Sequence, residues 1–370
     1  MKLGDLLTEY KELNVGNRYR PVAVGRFGIR AREDIYTKEL AKDYSKNKVI
    51  HQNTLTVGMG SKQIDIGILT SEDRYSVSPA YHTYRIGEVD CDYLRYCLEA
   101  RNEEMFKRFA KRGTRQGKTI DLKRWLGYRI CLPSKERQAT VVQRLAAVER
   151  QIDDCKSMRQ RLDDLVKSQF VEMFGDPIYN EKGYPEKRLG ELLEIARGGS
   201  PRPIKDYLTN DPEGINWIKI GDTVEGSRYI NSTAEKIKPE GKAKSREVKA
   251  GDFLLSNSMS FGRPYILNID GCIHDGWLVL SDSRKRFNKV FLCELLGSSA
   301  LKAKFSSSVR GGVVNNLNID LVASTVVPYP PLALQQQFAD FVAQVDKLGF
   351  GIWLACKSLH EPITHFYHQI

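Results

Sequence analysis

No run of about 18 apolar residues occurs anywhere in the chain, so no membrane-spanning helix is expected. Met1-Lys2-Leu3-Gly4-Asp5 opens no apolar stretch, so no secretory leader is expected and the cytoplasm is the default location. Cysteine is present without order. Cys91, Cys97, Cys131, Cys155, Cys272, Cys293 and Cys356 are odd in number and form no Cys-x-x-Cys pair. Their apolar neighbours mark them as small buried hydrophobes in a reducing compartment. The six histidines are scattered surface or core residues and do not pair with the cysteines at metal-ligand spacing, so no metal is expected. Gly113-Thr114-Arg115-Gln116-Gly117 has three residues between its glycines where a phosphate-binding loop needs four. Tyr329-Pro330-Pro331-Leu332 lacks the amide or acid before the prolines, and the aromatic after them, that an adenine methyltransferase uses to hold its base. No Ser-His-Asp arrangement or nuclease-like carboxylate cluster stands out, so no catalytic residue is assigned.

What is present is charge and length. The 370 residues carry a net charge of +11, which points to a polyanionic partner, nucleic acid first. Ser134 to Phe174 contains no proline or glycine and spaces Val141, Leu145, Val148, Ile152, Cys155, Met158, Leu162 and Leu165 by threes and fours. That spacing draws one apolar stripe along a helix. Ser134 caps its start, and Gly175 with Pro177 stops it. Such a helix is roughly 60 Å long and needs a partner along its stripe. The partner is predicted at the end of the chain, where Phe338, Phe341, Val345, Leu348, Ile352 and Leu359 repeat the pattern. Gly349 and Gly351 weaken this second helix, and Pro362 is expected to kink or end it. The two helices are expected to run antiparallel.

The chain is also duplicated. Leu3-Gly4-Asp5-Leu6-Leu7 recurs as Leu189-Gly190-Glu191-Leu192-Leu193, Ile120-Asp121-Leu122 as Ile319-Asp320-Leu321, and Cys155-Lys156-Ser157 as Cys356-Lys357-Ser358. The common order of these matches predicts two globular domains, 1–132 and 178–330, each followed by a long helix, 133–177 and 331–370. Short strands are expected at 22–24, 49–50, 54–57 and 64–69, and again at 215–220, 253–256, 265–267 and 277–280. Tyr128 to Pro133 and Thr325 to Pro328 read as strands leading into the long helices. Cys91 to Arg112 and Phe291 to Phe305 read as single helices. Strands and helices mix without strict alternation, which is an α+β class. Two similar basic domains on a rigid spacer make a ruler, spanning at most about 18 base pairs of DNA.

At this point the sequence resembles the specificity subunit of type I restriction-modification systems. The pieces that carry the resemblance are Leu189 to Leu193, Gly198-Gly199-Ser200-Pro201-Arg202, Trp217-Ile218-Lys219-Ile220-Gly221-Asp222, Val248 to Ser256, Gly311-Gly312-Val313-Val314-Asn315-Asn316-Leu317, and Val327 to Leu332 running into Gln335-Gln336-Gln337. In the more divergent first half, Gly113 to Gly117 and Pro133-Ser134-Lys135-Glu136-Arg137-Gln138 stand in the corresponding places. The resemblance implies two target-recognition domains, each reading half of a bipartite DNA site. It implies two modification subunits that carry S-adenosylmethionine and methylate adenine. It also implies restriction subunits that use ATP and magnesium, and no cofactor in this chain. The alternatives are a similar recognition subunit of another restriction-modification type, or a stand-alone DNA methyltransferase or nuclease.

Candidate DNA contacts follow from the charge. Between Arg101 and Arg129 basic residues far outnumber acids. Arg112, Arg115 and Lys118 flank a glycine loop and suit phosphate contact. The aligned loop of the second copy holds Arg310, Asn315 and Asn316, types that pair with guanine and adenine in the major groove. Arg202, Lys205, Asn257, Ser258 and Arg263 add to the second domain, and Arg26, Arg30, Arg32, Lys62 and Arg74 to the first. The central helix balances its charges, which suits a protein partner better than DNA.

Overall fold

The computed structural model describes residues 1–25, 28–36, 41–112, 118–224, 226–257, 262–309 and 317–369. Arg26, Arg115, Ser258, Arg310, Asn315 and Asn316 lie outside the described residues, and of Arg112 and Lys118 only the backbone is described. The chain divides into two compact units, Met1–Lys156 with Trp353–Ile370, and Ser157–Ile352. The central helix, Lys135–Phe174, and the final helix, Leu332–Gln369, each contribute to both units.

In the first unit a four-stranded antiparallel sheet orders Leu7–Glu9, His82–Ile86, Thr54–Met59 and Ile64–Leu69. Its apolar residues Leu55, Val57, Ile64 and Tyr84 bury against Leu94 and Leu98 of Cys91–Ala100, Met105 and Phe109 of Asn102–Phe109, and Trp125 of Leu122–Leu126. A two-stranded ribbon, Val22–Gly25 with Gly28–Ala31, packs on the same sheet at Gly67, where a Cβ would stand 2.6 Å from Ile29 Cγ1.

The second unit has two five-stranded sheets. One orders Glu194–Arg197, Trp277–Ser281, Phe253–Ser256, Pro264–Leu267 and Tyr229–Ile230. The other orders Leu208–Thr209, Glu235–Ile237, Ile215–Ile218, Gly271–Ile273 and Arg246–Val248. Helices Lys289–Gly297, Ser299–Val309 and Ile319–Ser324 complete it. Its core centres on four rings from three helices: Phe174 stands 4.7 Å from Phe291 and 5.6 Å from Phe338, and Phe170 stands 5.5 Å from Phe338.

The duplication read from the sequence is visible in matching hydrogen bonds. Leu3 N–H donates to the Tyr128 carbonyl at 2.9 Å, and Leu189 N–H donates to the Thr325 carbonyl at 2.9 Å. Asp121 and Asn318 cap the short helices that follow the two glycine loops. Most telling are two buried glutamines. Gln138 Oε1 accepts the Asp90 N–H at 3.0 Å, and its amide donates to the Pro133 carbonyl at 2.8 Å. Gln335 Oε1 accepts the Asn288 N–H at 2.9 Å, and its amide donates to the Pro330 carbonyl at 2.9 Å. In both copies the N-cap of the domain helix is thereby tied to the start of a long helix. About three turns further along, each long helix offers a carboxylate to its own unit. Glu149 takes Arg95 at 3.2 Å and the Tyr96 hydroxyl at 2.7 Å, while Asp346 takes Arg228 at 2.9 Å.

Within the second unit the long helices run antiparallel. In the second, Phe170 meets Phe338, and Leu162 Cδ1 lies 3.7 Å from where a Cβ on Gly349 would stand. In the first, Cys155 of the central helix lies beside Cys356 of the final helix. Val141, Leu145, Ile152, Phe338 and Val345 are buried as the periodicity predicts, and Val148, Leu162, Phe341, Ile352 and Leu359 are partly buried. Leu165 and Leu348 are not on the packed face: they are 46% and 62% exposed, and Met158 is 50% exposed. The stripe changes step after Leu162, continuing through Val166, Phe170 and Phe174, because the helix end turns into the second unit's aromatic core.

Other expectations shift as well. Cys91 to Arg112 is two helices and then a strand, Ala110–Arg112. The break falls at Arg101 because Asn102 clasps the Ile64 backbone with both its amide groups, at 3.0 and 2.9 Å. Phe291 to Phe305 is likewise split at Ser298, whose hydroxyl accepts the Leu301 N–H at 3.3 Å. Tyr128 to Pro133 makes a single bridge, Arg129 to Lys2, since Lys2 leads at once into the helical turn Leu3–Leu6. The final helix does not end at Pro362 but runs to Gln369.

Replacing Gln335 by Ala strands a buried N–H and a buried carbonyl at once, and is expected to lower stability by about 2–4 kcal/mol. The exposed neighbour change Gln336→Ala is expected to cost no more than about 0.5 kcal/mol. Thermal melts of the two variants make the comparison, and equal melting points would contradict it.

Candidate nucleic-acid interface

Glycine builds a cleft in the second unit. The loop Gly198-Gly199-Ser200-Pro201-Arg202 lies against the turn His274-Asp275-Gly276 in the second unit. A Cβ on Gly198 would collide with the His274 carbonyl, and a Cβ on Gly276 would collide with the His274 ring. Gly198 is what allows loop and turn to close on each other, and Gly276 leaves the His274 ring its place within the turn.

Asp275 is the hub of that contact. Its carboxylate accepts the Ser200 hydroxyl at 2.9 Å and Arg202 Nη2 at 3.2 Å. Its backbone carbonyl accepts Asn257 Nδ2 at 2.9 Å and Arg197 Nε at 3.2 Å. Burial pushes the Asp275 carboxyl up, but Ser200, its own backbone N–H, His274 and Arg202 outweigh burial and hold it below its ordinary value. His274 is displaced the opposite way from an exposed imidazole: burial lowers its pKa, and neighbouring Asp275 only partly offsets this. Its Nδ1 lies 2.8 Å from the Gly276 N–H and its Nε2 lies 3.2 Å from the Ile220 N–H.

Beside this turn opens a cavity of about 910 Å³, walled by Pro201, Pro203, Ile204, Trp217 and Ile220 with His274 at its edge. Lys219 also lines it and is held by Glu235 at 2.8 Å. Among the described residues, no group of three or more His, Cys, Asp or Glu side chains is placed to hold a metal ion. No described helix is long and apolar enough to cross a membrane.

Residues 181–352, which contain this loop, turn and cavity, match the type I restriction modification DNA specificity domain. This stretch is similar to that DNA specificity domain. Over nearly its whole length the fold is also similar to the specificity subunit of a type I restriction-modification system from M. genitalium. That likeness has 14% identity and a TM-score of 0.52, and covers 99% of this chain and 94% of the other. A second similar structure comes from work on complex assembly and conformational transition of the type I system. It shows 17% identity and a TM-score of 0.54, and covers 100% of this chain and 96% of the other.

The structure places the sequence candidates unevenly. Arg202 is 80% exposed beside the cleft and is paired with Asp275. Lys205 and Arg263 are exposed. Asn257 is fully buried and serves the Asp275 turn, so the structure gives it a scaffolding position. In the first unit Arg30 is exposed and lines a cleft of about 270 Å³ with Arg20 and Tyr75. Arg74 donates to the Tyr19 hydroxyl at 3.3 Å, and Arg32 lies 5.2 Å from the centre of the Tyr44 ring. Lys62 is exposed and does not line that cleft. His274, Asp275 and Trp217 carry the cleft in the second unit and were missed as site residues. The available signal was Gly276, a glycine following His-Asp, read together with the Gly198-Gly199 pair.

His274 gives the second unit a pH dependence with a definite sign. Its pKa in the folded protein lies below the free value of about 6.5. On acidification the unfolded chain therefore takes up the proton first. The stability held by the neutral ring is complete above about pH 6.5 and is lost as pH falls toward the folded-state value. The melting temperature is expected to drop between pH 7.5 and pH 5.5, and to drop less in His274→Gln. Parallel curves for the two proteins would remove His274 as the source.

Proposed function

We propose that this chain is the DNA-reading, non-catalytic subunit of a type I restriction-modification enzyme, each sheet-rich domain reading one half of a bipartite target. The observation that supports two readers is the repeated glutamine clasp, Gln138 with Asp90 and Gln335 with Asn288, which frames both domains alike. The specificity-domain match on 181–352 supports the DNA target. In this reading the paired helices set the gap between half-sites and dock two modification subunits. Those subunits bring S-adenosylmethionine and methylate adenine N6. Restriction subunits, with ATP and magnesium, join the assembled complex.

Base readout in the grooves supplies sequence choice, and phosphate contacts set register. Arg112, Arg115 and Lys118 are assigned to phosphate in the first domain. Arg310, Asn315 and Asn316 occupy the equivalent loop of the second.

The deciding experiment mixes the purified chain with labelled S-adenosylmethionine and DNA, with and without modification subunits. Sequence-specific methyl transfer is expected only in their presence. Transfer by the chain alone would make it a methyltransferase in its own right. For the phosphate assignment, Arg115→Ala is expected to weaken DNA binding and to reduce the slope of log affinity against log salt by about one. A titration showing unchanged affinity and slope would take Arg115 off the DNA.

A further inference from the structure

The basic residues between Lys238 and Lys249 fall into two kinds. Lys242 and Lys249 are neutralised where they stand: Glu247 takes Lys242 at 2.9 Å and Lys249 at 3.1 Å, and Asp270 takes Lys249 at 3.2 Å. The others are held only by neutral atoms. Lys238 Nζ donates to the Asp206 carbonyl at 2.8 Å, and Lys244 Nζ donates to the Tyr207 hydroxyl at 2.6 Å. Arg246 Nε donates to the Arg197 carbonyl at 3.3 Å, and Arg197 Nε in turn donates to the Asp275 carbonyl at 3.2 Å. A carbonyl or a phenol fixes the direction of a cation without cancelling its charge. Among the described residues, no carboxylate comes within ion-pair distance of Lys238, Lys244, Arg246 or Arg197; the Asp275 carboxylate pairs with Arg202.

Shared partners make these four groups one row. The Lys238 N–H donates to the Tyr207 carbonyl at 2.8 Å, so Lys238 and Lys244 both rest on Tyr207. Lys244 and Arg246 flank Ser245, whose hydroxyl is anchored to the Ile273 carbonyl at 3.0 Å. Arg246 leans on Arg197, the residue before the Gly198-Gly199 pair, and a Cβ on Gly199 would stand 3.2 Å from the Lys244 carbonyl. The row thus borders the cleft along Arg246–Val248, an edge strand of its sheet. All four residues are exposed. Each arginine uses its Nε on a carbonyl, which leaves its two terminal nitrogens side by side for a bidentate acceptor. Each lysine uses one of three donors.

Four preset and uncancelled charges in a row suit an acceptor that is anionic, repeated and met at a surface. A DNA backbone has this form, whereas base edges carry no net charge and a lone carboxylate meets only one member of the row. We propose that Lys238, Lys244, Arg246 and Arg197 form a phosphate track of the second domain, holding the DNA backbone beside the cleft, while Lys242 and Lys249 a few residues away take no part. The inference rests on the reading of the chain as a DNA-specificity subunit, and adds a track on a sheet edge to the loop residues Arg310, Asn315 and Asn316. A basic edge strand has one rival use, since lysines on an edge also deter pairing with another chain.

The test measures DNA affinity against salt for the complex with modification subunits, carrying the wild-type chain, Lys244→Gln, Arg246→Gln, Arg197→Gln or Lys249→Gln. Each of the first three variants is expected to reduce the slope of log affinity against log salt by about one. Lys249→Gln removes the same formal charge and is expected to leave the slope unchanged. Sequencing of methylated adenines is expected to return one motif for all five proteins. Arg197→Gln lies on a different strand, Glu194–Arg197, and carries the test should changes on the edge strand disturb folding. Unchanged slopes in variants that melt like wild type would overturn the track. So would an equal fall in Lys249→Gln, which net charge alone would explain, or a shifted motif, which would make these residues base readers. Loss of the modification subunits, or self-association, with the DNA slope intact would overturn it in favour of a protein contact or edge protection. A wild-type complex without sequence-specific DNA binding would instead overturn the functional reading on which the inference rests.

Discussion

One buried glutamine side chain holds each sheet-rich domain to its long helix, and much of the molecule follows from the pair. An amide side chain is one of the few groups that can satisfy a backbone donor and a backbone acceptor at the same time. Buried backbone groups left without partners are costly, so the position tolerates little else. Gln138 and Gln335 each sit in the first turns of a long helix, just after a proline that cannot donate. Each thereby closes the N-cap of a domain helix and the carbonyl of that proline with one residue. With that junction fixed, Glu149 and Asp346 about three turns away fall where Arg95 and Arg228 reach them. The two arginines come from different elements, yet they meet the same helical position. The frame is thus more strictly repeated than the domains it carries.

The contrast between frame and cleft is a contrast in chemistry. The frame is made of backbone groups met by buried amides, which any sequence with those amides can reproduce. The cleft of the second unit depends on specific side chains, above all Asp275, whose carboxylate and carbonyl between them collect Ser200, Arg202, Arg197 and Asn257. That one residue orders the loop that lines the cavity. Because its charge is neutralised locally, the cavity stays apolar although the chain as a whole is strongly basic. The net charge of the protein does not set the character of this pocket.

How far the sequence was legible depended on whether the governing force was local. The central helix was readable almost to the residue, since its stripe, the Ser134 cap and the Gly175 stop are all local signals. The strands at 54–59 and 64–69 were readable from alternation and β-branched residues. The splits at Arg101 and Ser298 were less so, because the first is imposed by Asn102 gripping a distant strand. Leu165 and Leu348 continued the periodic pattern but lost to the aromatic cluster around Phe170, which only the tertiary fold reveals. The glycine loops and the proline junctions carried the resemblance to the specificity family, and the match over 181–352 contains part of them. The cleft residues were harder to see, since one histidine among six carries no periodic mark and its role depends on glycines far away in the chain.

The matching bonds from Leu3 to Tyr128 and from Leu189 to Thr325 have a consequence for how such a chain can change. Each draws the entry and the exit of a sheet-rich domain to one point, so the intervening polypeptide forms a closed loop on a fixed socket. The second domain accommodates an additional five-stranded sheet within that loop, and its socket keeps the same bonds as the first. Length and content inside the socket are therefore free to diverge without disturbing the junction. A chain organised this way can replace one reading module wholesale while the other, and the helices between them, remain as they were.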